Sequence, residues 1–175
     1  MSVRLTQVVV EVERHAAASG WDQPARLFAL VDTAELLARE PHLAAALGSN
    51  AQPLPDGSAA LTPIEQEDLG DDPLDELLAR IVWPDEVLGC AVVVERLMLP
   101  PSAEPAVADL DDEEAARSVA EHPEREEVRI AVGVLRDGER ECAIRLRSHD
   151  DDRSVMSGAD LVPGLAEALA ATFEP

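Results

Sequence analysis

The stretch 126–147 constrains the fold more than any other part of the chain. Val128, Ile130, Val132 and Val134 alternate with Arg129, Ala131, Gly133 and Leu135, and beyond a turn Cys142, Ile144 and Leu146 alternate with Ala143, Arg145 and Arg147. A period of two sends successive side chains to opposite faces, so the pattern predicts a β-hairpin. The turn then decides the register. A two-residue turn at Asp137-Gly138 would set Ile130 against Arg145 and Val132 against Ala143, putting apolar residues opposite the wrong face. A three-residue loop, Arg136-Asp137-Gly138, puts Gly138 at the left-handed position of a G1 bulge and pairs Val128 with Leu146, Ile130 with Ile144 and Val132 with Cys142. Both strands then agree, which favours the three-residue loop.

This register also sets Arg129 opposite Arg145, and Glu127 opposite Arg147, on the face away from the apolar cluster. Like charges facing each other across a ladder repel, so an acidic group must lie close by. Within the chain the candidates are Glu127, Glu141 and Glu95. The alternative is a bound anion or an acidic side chain of a partner, because the guanidinium fork matches carboxylates and phosphates. Arg129, Arg145 and Arg147 are therefore the candidate binding residues. Directly after this strand, His149-Asp150-Asp151-Asp152 gathers metal-ligating side chains, with His149, Asp150 and Asp152 the candidate ligands for a divalent cation. The spacing is not that of an EF-hand, and consecutive side chains diverge, so a solvated acidic loop is the competing reading.

Elsewhere, Leu5, Val8, Val9, Val12 and Ala16 mark one face of a helix that Gly20 stops. Asp22 and Pro24 offer the start of a second helix carrying Leu27, Leu30, Val31, Ala34, Leu37 and Ala38, ended by Pro41, and a short helix continues from His42 to Leu47. Positions 49–57 read as loop. Residues 59–64 read as an edge strand or extended segment, because Pro63 argues against a central place in a sheet. Leu74, Leu77, Leu78 and Ile81 predict a helix from Pro73 to Val82. The run 87–99, apolar and β-branched up to Glu95, predicts a central strand covered on both faces. A linker over 102–110 precedes a charged, peripheral helix capped by Asp111 or Asp112, and Leu165, Leu169 and Phe173 mark a final helix. The sum is one α+β domain, 1–175: N-terminal helices, then a mainly antiparallel sheet of three to four strands with a helix between strands and a C-terminal helix.

Composition narrows the function by exclusion. All 14 basic residues are Arg, so a Schiff-base lysine and a Walker-type phosphate lysine are ruled out. The scarcity of residues with AT-rich codons suits a high-GC genome. A net charge of −22 opposes nucleic acid and anionic membrane surfaces, and two Phe, two Trp and no Tyr leave few platforms for stacking bases. The N-terminus has neither a signal-peptide pattern nor a long apolar stretch. Cys90 and Cys142 read as reduced, buried thiols of a cytoplasmic protein. No zinc spacing, nucleophile elbow or phosphate loop occurs, and no cofactor is expected.

Several stretches carry a likeness together: Arg26-Leu-Phe-Ala-Leu-Val31, Trp83-Pro84 followed by Gly89-Cys90 and Glu95-Arg96, and Leu146-Arg-Ser-His-Asp150 followed by Leu161-Val-Pro-Gly-Leu165. They resemble a family of small acidic actinobacterial proteins of unknown function, over nearly the whole chain. The resemblance implies a cytoplasmic location and brings no activity, cofactor or catalytic residue. The expected function is a non-enzymatic interaction or regulatory domain that binds a protein partner or a second copy of itself. The alternative is a divalent-metal-binding protein or metal-dependent enzyme using the loop 149–152.

Overall fold

In the computed structural model, residues 3–47, 54, 55, 57, 59–67, 69, 71–99 and 109–174 are described. The loop expected at 49–57 and the linker at 102–110 lie largely outside them. Among the described residues the chain runs α1 (Val3–Ala18), β1 (Arg26–Asp32), α2 (Thr33–Arg39), a 3-10 turn, α3 (Ala44–Leu47), β2 (Leu61–Glu65), α4 (Leu74–Arg80), β3 (Val87–Met98), α5 (Asp112–Glu121), β4 (Glu126–Leu135), β5 (Arg140–Leu146), β6 (Met156–Gly158) and α6 (Pro163–Ala171). The strands form one antiparallel sheet in the order β2-β1-β3-β4-β5-β6. The α+β class holds, but six strands replace the expected three to four.

One of the two extra strands comes from a helix that does not form. The stripe Leu27 to Ala38 fits a helix, yet its first half is β1. Leu27, Phe28, Ala29 and Leu30 are all buried, with Leu27 packed on one side of the sheet and Phe28 and Leu30 on the other. A helix would have buried only one face of this segment, whereas a strand between β2 and β3 buries both. Asp32 ends the strand and begins α2, its carboxylate accepting from the Glu35 N–H at 3.1 Å. The other extra strand, the three-residue β6, pairs with β5 at the sheet edge.

β2 is the edge strand its proline demands. Gln66 N–H donates to Leu27 C=O and Thr33 N–H to Ala60 C=O, so by alternation the backbone of Pro63 faces away from the sheet, where a missing N–H costs no ladder bond. The hairpin adopts the register of the three-residue loop: Val128 pairs with Leu146, Ile130 with Ile144 and Val132 with Cys142. Leu135 N–H donates to Glu139 C=O at 2.8 Å, and Gly138 has φ 97°, a value that an L side chain resists.

Two apolar layers flank the sheet. On one face α1 lays Leu5, Val8, Val9, Val12 and Ala16 over Phe28, Leu30, Ala91, Val93, Ala131 and Ala143. Its approach is close: a Cβ at Gly133 would lie 2.6 Å from Val9 Cγ2. On the opposite face α4 and α6 cover Leu27, Cys90, Val92, Val94, Val132 and Ile144. There Trp83 stacks on Phe173 at 6.1 Å and donates its indole N–H to Thr172 Oγ1 at 2.9 Å, as a packing plug would. α5 has no buried residue and is peripheral, with Asp111 as its cap.

Candidate functional site

α1 carries Glu13 inside its apolar stripe, four residues after Val9 and three before Ala16, so burying that stripe drives a carboxylate against the sheet. Glu13 is 1% exposed and meets the two arginines facing each other across β4 and β5, Arg129 at 1% and Arg145 at 2%. Arg145 Nε and Nη2 donate to the two Glu13 oxygens at 2.5 and 2.9 Å, a bidentate pair. Arg129 Nη1 lies 3.7 Å from Glu13 Oε1, too far for a hydrogen bond. The other terminal nitrogen of Arg129 donates to Gly20 C=O, and its guanidinium sits 4.3 Å from the Trp21 ring centre.

The acidic loop closes over this pair. Arg145 Nη1 donates to Asp150 at 3.2 Å and Nη2 to Asp152 at 2.6 Å, while Trp21 Nε1 donates to Asp150 at 3.0 Å. Arg147, half-exposed, donates to Glu127 at 2.6 Å and to Asp22 at 3.0 and 3.2 Å. Asp22 is not a helix cap. It has φ 65°, uncommon for a residue with a Cβ, and is held there by Arg147 on its carboxylate and by Glu95, which accepts its N–H at 2.8 Å and that of Gln23 at 2.7 Å. The hydrogen bond that Arg145 donates to Glu13, followed by those to Asp152 and Asp150, raises the Arg145 pKa above its ordinary value, and the bond from Arg145 lowers that of Asp152.

The acid required beside the arginines is thus internal, and only in part the one expected. Glu127 pairs with Arg147, but Glu95 serves backbone N–H groups and Glu141 accepts from Thr6 Oγ1 at 2.9 Å. Glu13, 132 residues from Arg145, is the main counter-charge. Its signal in the sequence is a carboxylate on an otherwise apolar helix face.

Of the candidate metal ligands, Asp150 and Asp152 are engaged by Arg145, and His149 Nδ1 lies 3.0 Å from Ser148 Oγ. Asp151, between them, caps the turn Asp152–Ser154 through the Ser154 hydroxyl and the N–H groups of Arg153 and Ser154. Among the described residues, no three or more His, Cys, Asp or Glu side chains gather in a way that could hold a metal ion. The cysteines are free and buried, and burial pushes the Cys90 thiol up to about 12 against the hydrogen bond from Thr172.

The other face of the sheet holds an open cleft of about 500 Å³ between α4, α6 and the end of β3. Leu74, Leu78, Val94, Leu165 and Ala168 give it an apolar lining, with Arg96, Asp75, Glu95 and Gln23 at its polar margin. Arg96 shares the face of Val92 and Val94 by strand alternation, but lies where β3 runs beyond its cover and is exposed. Among the described residues it makes no ion pair or side-chain hydrogen bond, and neither does Asp75. Sequence reasoning missed this site because α4, β3 and α6 are far apart in the chain and only the topology brings them together.

A family model matches residues 5–174 and is described as PPA1309-like protein; the chain belongs to this uncharacterised family. No curated protein and no solved structure matches it. Among the described residues no helix is long and apolar enough to cross a membrane.

Proposed function

We propose that this member of the PPA1309-like protein family is a non-enzymatic interaction or regulatory domain of the cytoplasm that holds a protein partner at the cleft between α4 and α6. One observation carries the reading: the cleft joins an apolar lining, closed below by the buried Leu78 and Val94 and open at Ala168, to Arg96, a cation with no partner among the described residues, in a chain of net charge −22. A volume of about 500 Å³ lies within the ordinary range of binding pockets, where apolar walls supply affinity and a few polar groups fix orientation.

The buried charges have a different part in this reading. Arg129 and Arg145 face inward onto Glu13 and the 147–154 loop, and only Arg147 of the three is open to a visitor. They act as the frame that fixes α1, the 19–25 turn and that loop against the hairpin.

Affinity capture from native cell extract tests the proposal, with the whole protein as bait. Ala168 is exposed on α6, so Ala168→Trp fills the cleft without touching the core. A partner should be retained by the wild type and by Arg147→Gln and lost with Ala168→Trp. A partner retained equally by Ala168→Trp would contradict the proposal.

A further inference from the structure

We infer that the cleft takes the C-terminal residue of a partner polypeptide, with an aliphatic side chain on the apolar lining and the α-carboxylate on Arg96. The inference rests on the interaction reading above and names the chemistry of its ligand.

The chain has 36 acidic residues and 14 arginines, so carboxylates are plentiful. Several arginines are drawn onto them: Arg26 onto Glu65 at 2.5 Å, Arg80 onto Asp72 at 2.7 Å, Arg140 onto Asp160 at 2.6 Å. Among the described residues the Arg96 guanidinium makes no ion pair although Glu95 precedes it, because Glu95 is occupied by the N–H groups of Asp22 and Gln23. A free fork beside Val94 and Leu78 presents five N–H donors next to an apolar lining, which suits a carboxylate attached to an aliphatic group.

A chain terminus supplies both parts on one residue, whereas an internal Asp or Glu needs a separate aliphatic neighbour at the right spacing. The cleft is also of small-ligand size rather than the length of a helix-binding groove. Charge selects a polypeptide over a free aliphatic acid. A net charge of −22 repels a small anion, but a segment with basic residues upstream of its terminus is attracted by the acidic exterior and by Asp75 at the margin.

Fluorescence anisotropy with the whole protein and the dye-labelled peptide KKSALVL, as free acid and as C-terminal amide, tests this directly. The free acid should bind, with the amide weaker by roughly tenfold or more, the value of a charge-assisted fork. Arg96→Gln should bind both peptides at the level of the amide, and Ala168→Trp should bind neither. Equal binding of acid and amide to the wild type, or no binding of either at millimolar protein, would overturn the inference. If Ala168→Trp still loses the captured partner while acid and amide bind alike, the interaction reading stands and the terminal carboxylate falls. If Ala168→Trp keeps the partner, the interaction reading itself has failed.

Discussion

Glu13 of α1 and Arg145 of β5 form a buried bidentate pair, with Nε–Oε1 and Nη2–Oε2 distances of 2.5 and 2.9 Å. The pair ties α1 to the hairpin across 132 residues of sequence and answers the repulsion built into the hairpin by Arg129 facing Arg145. Removing one member leaves the other charged and dry. Arg145→Gln should therefore lower the unfolding free energy by about 3–5 kcal/mol in equilibrium urea unfolding. Glu13→Gln should cost a similar amount, since two buried guanidiniums would remain, and the double variant should lose less than the sum. Additive losses would show that the two residues act independently.

The Cys90 thiol gives the stability a pH dependence in the alkaline range. Its folded pKa is raised by burial from 9.0 to about 12, so above 9.0 the unfolded chain ionises and the folded chain does not. The unfolded state then binds fewer protons, and stability falls as pH rises from 9.0 toward 12, by at most about 1.4 kcal/mol per pH unit from this group. Cys90→Ser should flatten that part of the profile, measured by urea unfolding at successive pH values. In native protein at pH 8 the same thiol should react with iodoacetamide only at the rate of unfolding.

Metal should do little to the loop 149–152. Asp150 and Asp152 already hold Arg145, so a cation would have to displace a guanidinium. Thermal unfolding with millimolar Mg²⁺, Mn²⁺, Ca²⁺ or Zn²⁺ should show no rise in midpoint. A rise that grows with concentration would reveal a specific site and favour the metal-binding reading.

Much of the fold could be read from local pattern, where one face or one turn decides. Gly138, with only one comfortable place in a three-residue loop, set the hairpin register, and the unbroken apolar run from Val87 to Val94 identified a strand covered on both sides. The segment 26–32 was misread because Leu27, Leu30, Val31 and Ala34 also fit a helical stripe. Only its neighbours β2 and β3 make a strand the better burial, and periodicity over so short a run does not separate the two. The candidate site divides in the same way. The facing arginines followed from cross-strand pairing, a local rule. Glu13 as their counter-charge and the cleft beside Arg96 depend on where α1, α4 and α6 pack, which no short stretch encodes.

Amide hydrogen exchange on the protein with its captured partner, compared with the protein alone, measures most directly where that partner sits. Protection confined to α4, α6 and the Val94–Arg96 end of β3, with the 147–154 loop unchanged, is the predicted result. Protection centred on the 147–154 loop and α1, leaving α4 and α6 unchanged, would contradict the cleft as the binding site and return attention to Arg147 and its neighbours.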